Sequence, residues 1–150
     1  MKRLVAMASM LGLVGLAVAQ PQELMLRDLE SKSPRKLSKD EVTQLITGAK
    51  MSRISVRGNQ HYWSNDAGGS FVASSDNMGA GATVRGQGRT STARGKWHIS
   101  DDGRYCILIE WQGVPTEEWC RFVFDTSDGY YTVKSDTVGT ERVYKFEIKK

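Results

Sequence analysis

The chain has 150 residues, of which 25% are charged and 39% hydrophobic, with two cysteines and a formal net charge of +4. That length suits one domain with a sizeable hydrophobic core. The 21 basic residues are spread along the chain, which argues against nucleic acid as a partner, because binding to its backbone needs a concentrated basic surface.

The first twenty residues have the three-part layout of a secretory signal peptide. Lys2 and Arg3 precede an apolar run from Leu4 to Val18, and Ala17 and Ala19 form an A-x-A site. The run is shorter than the roughly 20 apolar residues that a membrane-spanning helix needs. We expect residues 1–19 to be removed, leaving a periplasmic or secreted chain of 131 residues (150 minus 19) with no transmembrane segment. Its 19 basic and 17 acidic residues give a net charge of +2.

Residues 20–36 mix charges with two prolines, and we interpret them as a flexible arm. The arm includes one short predicted helix around Leu24–Leu29, whose leucines can pack on the domain. A local excess of lysine and arginine in this arm is typical of a solvated segment.

The clearest local signal is the segment LSKDEVTQLITG, residues 37–48. Ser38 followed three residues later by Glu41 forms a capping box, in which each side chain satisfies the backbone N–H of the other residue. Gly48 can end the helix in a left-handed conformation. The pattern predicts a helix over residues 39–47.

From Gly48 onwards, aromatic and β-branched segments alternate with turns rich in Gly, Asp and Asn, a pattern typical of an antiparallel sandwich or barrel. Strands are predicted at about 50–57, 60–64, 69–75, 82–90, 93–100, 104–111, 118–125, 129–135 and 141–149. Short sequential hairpins favour an up-and-down meander, and closure removes exposed edges. We predict one domain over residues 37–150, a small antiparallel lipocalin- or avidin-like β-barrel preceded by one short helix.

Both cysteines lie in GRYCILIEWQGVPTEEWC, residues 103–120. A hairpin centred on Gly113 places Cys106 directly opposite Cys120. Opposed residues of antiparallel strands have Cα atoms about 4.5 to 5.5 Å apart, a separation that a disulfide accepts. A lone cysteine pair in an exported protein usually forms a disulfide. We therefore predict a Cys106–Cys120 bridge.

The same hairpin is apolar on both faces. One face carries Tyr105, Ile107, Ile109, Trp111, Trp119 and Val123, and the other carries Cys106, Leu108, Cys120, Phe122 and Phe124. A barrel strand normally buries one face. The second face must then be covered by the helix at 39–47 and the arm, or by a partner or ligand. The sequence leaves open which face is the interior.

The sequence contains few of the patterns that catalysis or metal binding requires. The histidines His61 and His98 form no ligand pair with the cysteines, and no G-x-S-x-G element occurs. Glu117 and Glu118 point to opposite faces of a strand, so they do not converge as a catalytic pair. We predict no enzymatic activity, no metal and no cofactor.

Several short motifs resemble those of the bacterial exported family catalogued as domain of unknown function nine-nine-five. The matching residues are Leu37, Ser38 and Glu41; Gly95 and Trp97; Gly103 and Cys106; Cys120; and Asp128, Gly129 and Tyr130. The resemblance covers roughly residues 37–135 and implies a compartment and a β-rich fold, with no established activity. The G-x-W element is also similar to the first-strand signature of lipocalin and avidin-like barrels, although here it lies in mid-chain.

The abundance of aromatic residues favours a binding protein. We expect it to capture a small, partly apolar ligand or a peptide in an aromatic-lined barrel mouth. The candidate ligand-binding residues are Tyr62, Trp63, Phe71, Arg85, Trp97, Trp111, Trp119 and Arg121. The alternative is a protein-interaction or envelope-structural module, for example an inhibitor of a secreted hydrolase, which binds an envelope protein through the loops SNDAGGS and SDNMGAG. The oligomeric state stays open.

Overall fold

The computed structural model describes residues 23–79 and 90–150, and in these parts the chain forms a closed eight-stranded antiparallel β-barrel with two short helices. The helices are a 3₁₀ helix at Leu26–Lys32 and α1 at Lys39–Ile46. The strands are β1 (Arg35–Lys36), β2 (Lys50–Ile54), β3 (Gln60–Ser64), β4 (Ser70–Ser75), β5 (Ser91–Ile99), β6 (Tyr105–Trp111), β7 (Glu117–Thr126), β8 (Gly129–Val133) and β9 (Val143–Lys149). The predicted fold class is confirmed.

The barrel is an up-and-down meander. Each strand from β2 to β8 pairs with the next along the chain, and β9 closes the cylinder by pairing with β2. The two-residue strand β1, which the sequence did not predict, pairs with the last part of β7. The strand predicted at 82–90 falls almost wholly outside the described residues. The strand predicted at 60–64 has the predicted bounds, and the other predicted strands are present with ends that differ by a few residues.

Helix α1 covers one end of the barrel, which we call the closed end. Its capping box is formed as predicted: the Ser38 backbone N–H donates to Glu41 Oε2 at 2.8 Å, and the Glu41 N–H donates to Ser38 Oγ at 3.3 Å. Val42 and Ile46 are buried in the same apolar cluster as Trp63, with the other core residues of this end. The helix is therefore fixed by burial of its apolar stripe.

Polar groups buried near the closed end are hydrogen-bonded. The Trp63 indole N–H donates to the Tyr105 hydroxyl at 3.1 Å, and that hydroxyl donates to Asn65 Oδ1 at 3.0 Å. The Asn65 amide in turn donates to the Ile46 carbonyl of α1 at 3.2 Å. Burial raises the pKa of Tyr105 above its ordinary value. This network links the barrel interior to the helix with its polar atoms satisfied.

The G-x-W element is part of this packed core. A Cβ atom on Gly95 would lie 2.0 Å from the ring of Phe71, so the aromatic ring needs a glycine beside it. The Trp97 indole N–H donates to the Asp66 carbonyl at 2.8 Å and ties the strand to the β3–β4 turn. The element has a packing role in this barrel.

The N-terminal arm covers the part of the second apolar face that carries Phe122 and Phe124. A cluster on the outside of the barrel consists of Leu29, Tyr131, Val133 and Val143, with Leu24, Leu26, Phe122 and Phe124 packed against it. The arm leucines thus pack on the domain, as their spacing predicts. The face that carries Ile107 and Ile109 is the interior.

The two cysteines form the predicted disulfide. Strands β6 and β7 pair Cys106 with Cys120 and Ile107 with Trp119, the register expected for a hairpin centred on Gly113. Closing a loop of this length stabilises the fold by about 3 kcal/mol through the unfolded chain. The bridge lies on the outer face of the wall.

Residues 1–19, the predicted signal peptide, lie outside the described residues. Within residues 23–79 and 90–150, no helix has the length and hydrophobicity needed to cross a membrane.

Candidate functional site

At the end of the barrel opposite α1 there is a gap in the strand pairing, because β8 and β9 do not pair with the whole length of β7 and β2. Strand β8 pairs with β7 only as far as Phe122, and β9 pairs with β2 only as far as Ser52. The stretch 117–121 of β7 and the stretch 53–54 of β2 therefore lack a strand partner on this side within the described chain.

Five side chains border this gap, and we call them the notch. They are Arg53, Glu117, Trp119, Arg121 and Tyr144. Strand alternation places them on the interior side, because β6 and β7 pair the three β7 residues with Ile109, Ile107 and Tyr105. The notch side chains therefore face the barrel interior, and all of them except the buried Arg53 are half-buried.

An ion pair spans the notch. Arg53 of β2, whose side chain is 4% exposed, donates from Nη2 to Oε1 of Glu117 on β7. The same carboxylate oxygen accepts a hydrogen bond from the Trp119 indole at 2.9 Å. Burial lowers the pKa of Arg53, and Glu117 opposes that shift. The pair thus bridges two strands that do not pair through their backbones.

A second guanidinium lies between two aromatic rings. The Cζ atom of Arg121 is 4.4 Å from the ring centroid of Trp119 and 4.0 Å from that of Tyr144. Burial, followed by repulsion from Arg53, lowers the pKa of Arg121 to about 10. Trp119 also contacts Phe146 of the core, with ring centroids 5.7 Å apart. Trp119 is therefore the boundary between the packed core and the notch.

His61 and Trp111 lie beside the notch. His61 pairs with Arg53 across β2 and β3, and its ring is 4.9 Å from that of Trp111. Burial, together with the nearby Arg53, lowers the pKa of His61, so its imidazole is neutral at pH 7. His61 adds a polar but uncharged group to this end of the barrel.

Four buried polar atoms at this end have no hydrogen-bond partner within the described residues. They are Arg53 Nε, His61 Nδ1, Arg121 Nη1 and Thr132 Oγ1. Thr132 faces Tyr144 in the β8–β9 pairing. Buried polar groups of native proteins almost always have partners, so a group of orphans is a feature that needs an explanation. Guanidinium N–H groups and aromatic faces together are suited to recognition of an anion that carries an apolar part.

Three of the predicted ligand-binding residues lie at or beside the notch. Trp119 and Arg121 belong to the notch, and Trp111 lies behind it against His61. All three are half-buried, so part of each side chain is open to solvent.

The other predicted binding residues lie elsewhere. Trp63, Phe71 and Trp97 are buried in the packed core. Tyr62 is on the outer wall and is 51% exposed. Arg85 lies outside the described residues. A ligand-binding role for these five residues stays a prediction.

Arg53, Glu117 and Tyr144 were not among the site residues predicted from the sequence. For Arg53 and Glu117, the strand pattern contains a signal that could have identified them. Arg53 follows Met51 by two residues, which puts a charge on the inward face of β2. The hairpin register places Glu117 opposite Ile109 on a face that is mostly apolar. A charged residue at an inward position is the signal that identifies such a site.

His98, Cys106 and Cys120 place their potential metal-ligand atoms within 4.8 Å of one another. Both sulfur atoms are bonded to each other, and metal binding requires thiolates. With the bridge intact, this outer-wall group lacks the thiolate ligands of a metal site.

A surface depression of about 370 Å³ lies beside α1 and is lined by charged residues. Its Arg35 already pairs with Glu41 at 2.6 Å and with Asp125 at 3.5 Å. Another depression, of about 540 Å³, includes Val72 and Arg94 of the outer wall. Neither depression is lined by the orphaned polar atoms, so the notch is the better candidate for a functional site.

Comparison with known proteins places the chain in one family. The model of the family described as Protein of unknown function (DUF995) matches residues 14–141, which is most of the chain. No curated protein and no solved structure gave a match. The matched region contains the disulfide hairpin and α1 together with its capping box. As its short motifs predict, the chain belongs to the DUF995 family of proteins of unknown function.

Proposed function

We propose that this chain is an exported, non-enzymatic binding protein that captures a small, partly apolar ligand at the notch. The observation that carries the proposal is the set of buried, unpartnered polar atoms beside half-buried aromatic rings at one end of the barrel. A ligand in the notch would accept or donate those hydrogen bonds and cover the rings of Trp119 and Tyr144.

Within the part of the chain that the structure describes, buried polar groups are hydrogen-bonded at the closed end and lack partners at the notch, and this difference favours the notch as the binding site. At the closed end, Trp63, Tyr105 and Asn65 satisfy one another. Around the notch, Arg53 and Arg121 each keep an unused N–H. A buried donor without a partner lowers the stability of the fold by about 1–3 kcal/mol. A ligand that accepts this hydrogen bond removes that cost when it binds.

Export is proposed from two features of the chain. The first nineteen residues have the charge, apolar run and A-x-A site of a signal peptide. The Cys106–Cys120 bridge fits an oxidising compartment, since disulfides seldom persist in the cytosol. The proposal places the mature protein in the periplasm or outside the cell.

Native mass spectrometry tests the proposed capture. The protein would be produced with its N-terminal segment in an oxidising compartment, and its native mass compared with its denatured mass. We expect an additional mass that is lost on denaturation. Arg121→Gln should lose that mass, whereas Arg94→Gln, an exposed position on the outer face of β5, should keep it. A native mass equal to the denatured mass would contradict capture of a ligand.

A protein-interaction role has separate support on the outer wall. Ile54, Tyr62 and Val72 are exposed and lie on a diagonal across β2, β3 and β4, because Tyr62 pairs with Ser52 and Ser74. Exposed apolar side chains on adjacent strands are typical of contact surfaces. The second candidate function is therefore an interaction module for an envelope protein.

This second function has a different expected result. One stoichiometric partner should be recovered from an envelope extract with the native protein and lost with Tyr62→Ser. Arg121→Gln should leave that partner bound, because the notch lies at a different place on the barrel. If the partner were lost with Arg121→Gln and retained with Tyr62→Ser, the outer wall would not be the interaction surface.

A further inference from the structure

The guanidinium of Arg121 is attracted electrostatically by Glu117 but forms no ion pair with it. Within the described residues it makes no hydrogen bond or ion pair, and its Nη1 atom is buried and unpartnered. Its visible contacts are the rings of Trp119 and Tyr144. Contacts with aromatic rings leave the guanidinium N–H groups available to bind an anion.

Arg53 adds a second donor close to Trp119. Its Cζ atom is 5.7 Å from the ring centroid of Trp119, and its Nη2 atom is used by Glu117. Its Nε atom remains unpartnered, although the side chain is almost fully buried. Both guanidiniums thus lie close to one indole ring, and within the described residues each has an N–H group without a hydrogen-bond partner.

The charges of the notch do not balance. Two permanent cations, Arg53 and Arg121, face one carboxylate, Glu117, which leaves an excess of one positive charge. His61 is neutral at pH 7, and Arg142 at the rim is paired with Glu23 at 2.8 Å. Repulsion from Arg53 contributes to the lowered pKa of Arg121. A single negative charge between the two guanidiniums would neutralise this excess.

We propose that the ligand of the notch is a small organic monocarboxylate, with its carboxylate held between Arg53 and Arg121 and its apolar part against Trp119 and Tyr144. This inference rests on the proposed function and narrows it to one ligand class. A carboxylate matches both the single excess charge and the planar, two-pronged geometry of a guanidinium. A phosphate monoester, with about two negative charges, would overcompensate the charge of the notch.

The test compares carboxylates with uncharged amides of the same shape. The folded, disulfide-bonded protein would be titrated at pH 7 with phenylacetate and octanoate, and separately with phenylacetamide and octanamide. Arginine Nε–H and indole N–H signals would be followed by ¹⁵N-resolved NMR. We expect saturable shifts of Arg53, Arg121 and Trp119, with carboxylates binding about tenfold more tightly than amides because the hydrogen bonds are charge-assisted.

Three variants and one further probe sharpen this test. Arg121→Gln should abolish the preference for carboxylate over amide, and Arg94→Gln should keep it. Arg121→Lys should bind the carboxylate more weakly than the native protein, because lysine keeps the charge and lacks the planar fork. If a variant fails to fold, the ratio measured on the native protein still decides the question. Phenyl phosphate should bind more weakly than phenylacetate.

Each contrary result has a distinct meaning. Equal affinity for carboxylate and amide would overturn the monocarboxylate assignment and leave ligand capture standing. Tighter binding of phenyl phosphate would overturn it in favour of a dianion. No saturable shift with either carboxylate would overturn the assignment, and together with a native mass equal to the denatured mass it would also overturn the proposed function.

Discussion

Within the described residues, buried polar groups are hydrogen-bonded at one end of the barrel interior and lack hydrogen-bond partners at the other end. At the closed end, α1 covers an apolar core in which Trp63, Tyr105 and Asn65 are linked by hydrogen bonds. At the notch, Arg53 is almost fully buried and Arg121 is half-buried, and each has an N–H group with no hydrogen-bond partner within the described residues. Folding stability favours the first arrangement and is lowered by the second. The contrast indicates that the closed end supplies stability and the notch supplies recognition.

The largest expected effect tests the closed end. Phe146→Ala should lower the free energy of unfolding by about 3–5 kcal/mol, because Phe146 is buried and packs edge-on against Trp63. Tyr144→Ala, two residues away on the same face of β9, should lower it by only about 1 kcal/mol, since Tyr144 is half-buried. Denaturant unfolding would measure both. Equal losses of unfolding free energy in the two variants would contradict the distinction between a stabilising closed end and a notch that contributes little stability.

The disulfide lies on the outer wall and should stabilise both ends together. Replacing Cys106 and Cys120 by serine should lower the free energy of unfolding by about 3 kcal/mol, because the unfolded chain gains freedom. Reduction of the native protein with a thiol reagent should give a similar loss. A loss of ligand binding under conditions in which the reduced protein stays folded would show that the bridge positions the notch directly.

The ion pair should have an intermediate effect. Glu117→Gln leaves Arg53 buried without an anionic partner and should lower the free energy of unfolding by about 2 kcal/mol, less than for a fully buried pair because the Glu117 side chain is 24% exposed. The neighbouring Glu118→Gln, on the exposed outer face, should change it by less than about 0.5 kcal/mol. If the two variants are alike, the ion pair does not hold the notch together.

A smaller, pH-dependent effect concerns the cap of α1. Hydrogen bonds from the Ser38 backbone and from Arg35 lower the pKa of Glu41 from 4.5 to about 2. The charged form therefore stabilises the fold above pH 4.5, and this contribution disappears as the pH falls towards about 2. Glu41→Gln should flatten this part of the stability profile, measured by thermal unfolding at several pH values. An unchanged slope would mean that the capping box contributes no pH dependence.

The fold was predictable because its sequence signals are local: a capping box, turn residues, and the alternation of inward and outward residues along the strands. The spacing of Ser38 and Glu41 predicted the start of α1, and the symmetry of the hairpin about Gly113 predicted the pairing of Cys106 with Cys120. Alternation along the strands predicted the barrel, since each hairpin is set by residues close in the chain. These features depend on contacts between segments that are neighbours in sequence.

The notch could not be predicted in the same way. It exists because the pairings of β8 and β9 stop at Phe122 and Ser52, and the point at which strand pairing stops depends on the whole barrel. The predicted aromatic set also mixed two kinds of residue. Trp97 and Trp119 both lie on inward faces, and only the three-dimensional contacts separate the core tryptophan from the one at the notch.

The most direct test of the difference between the two ends is Arg121→Met, examined for stability and binding together. Methionine keeps much of the volume against Trp119 and Tyr144 and removes a buried charge, so the free energy of unfolding should change by less than about 1 kcal/mol. Binding of phenylacetate should be lost in the same protein. A loss of stability of about 3 kcal/mol, or retained binding, would contradict the assignment of the notch to recognition.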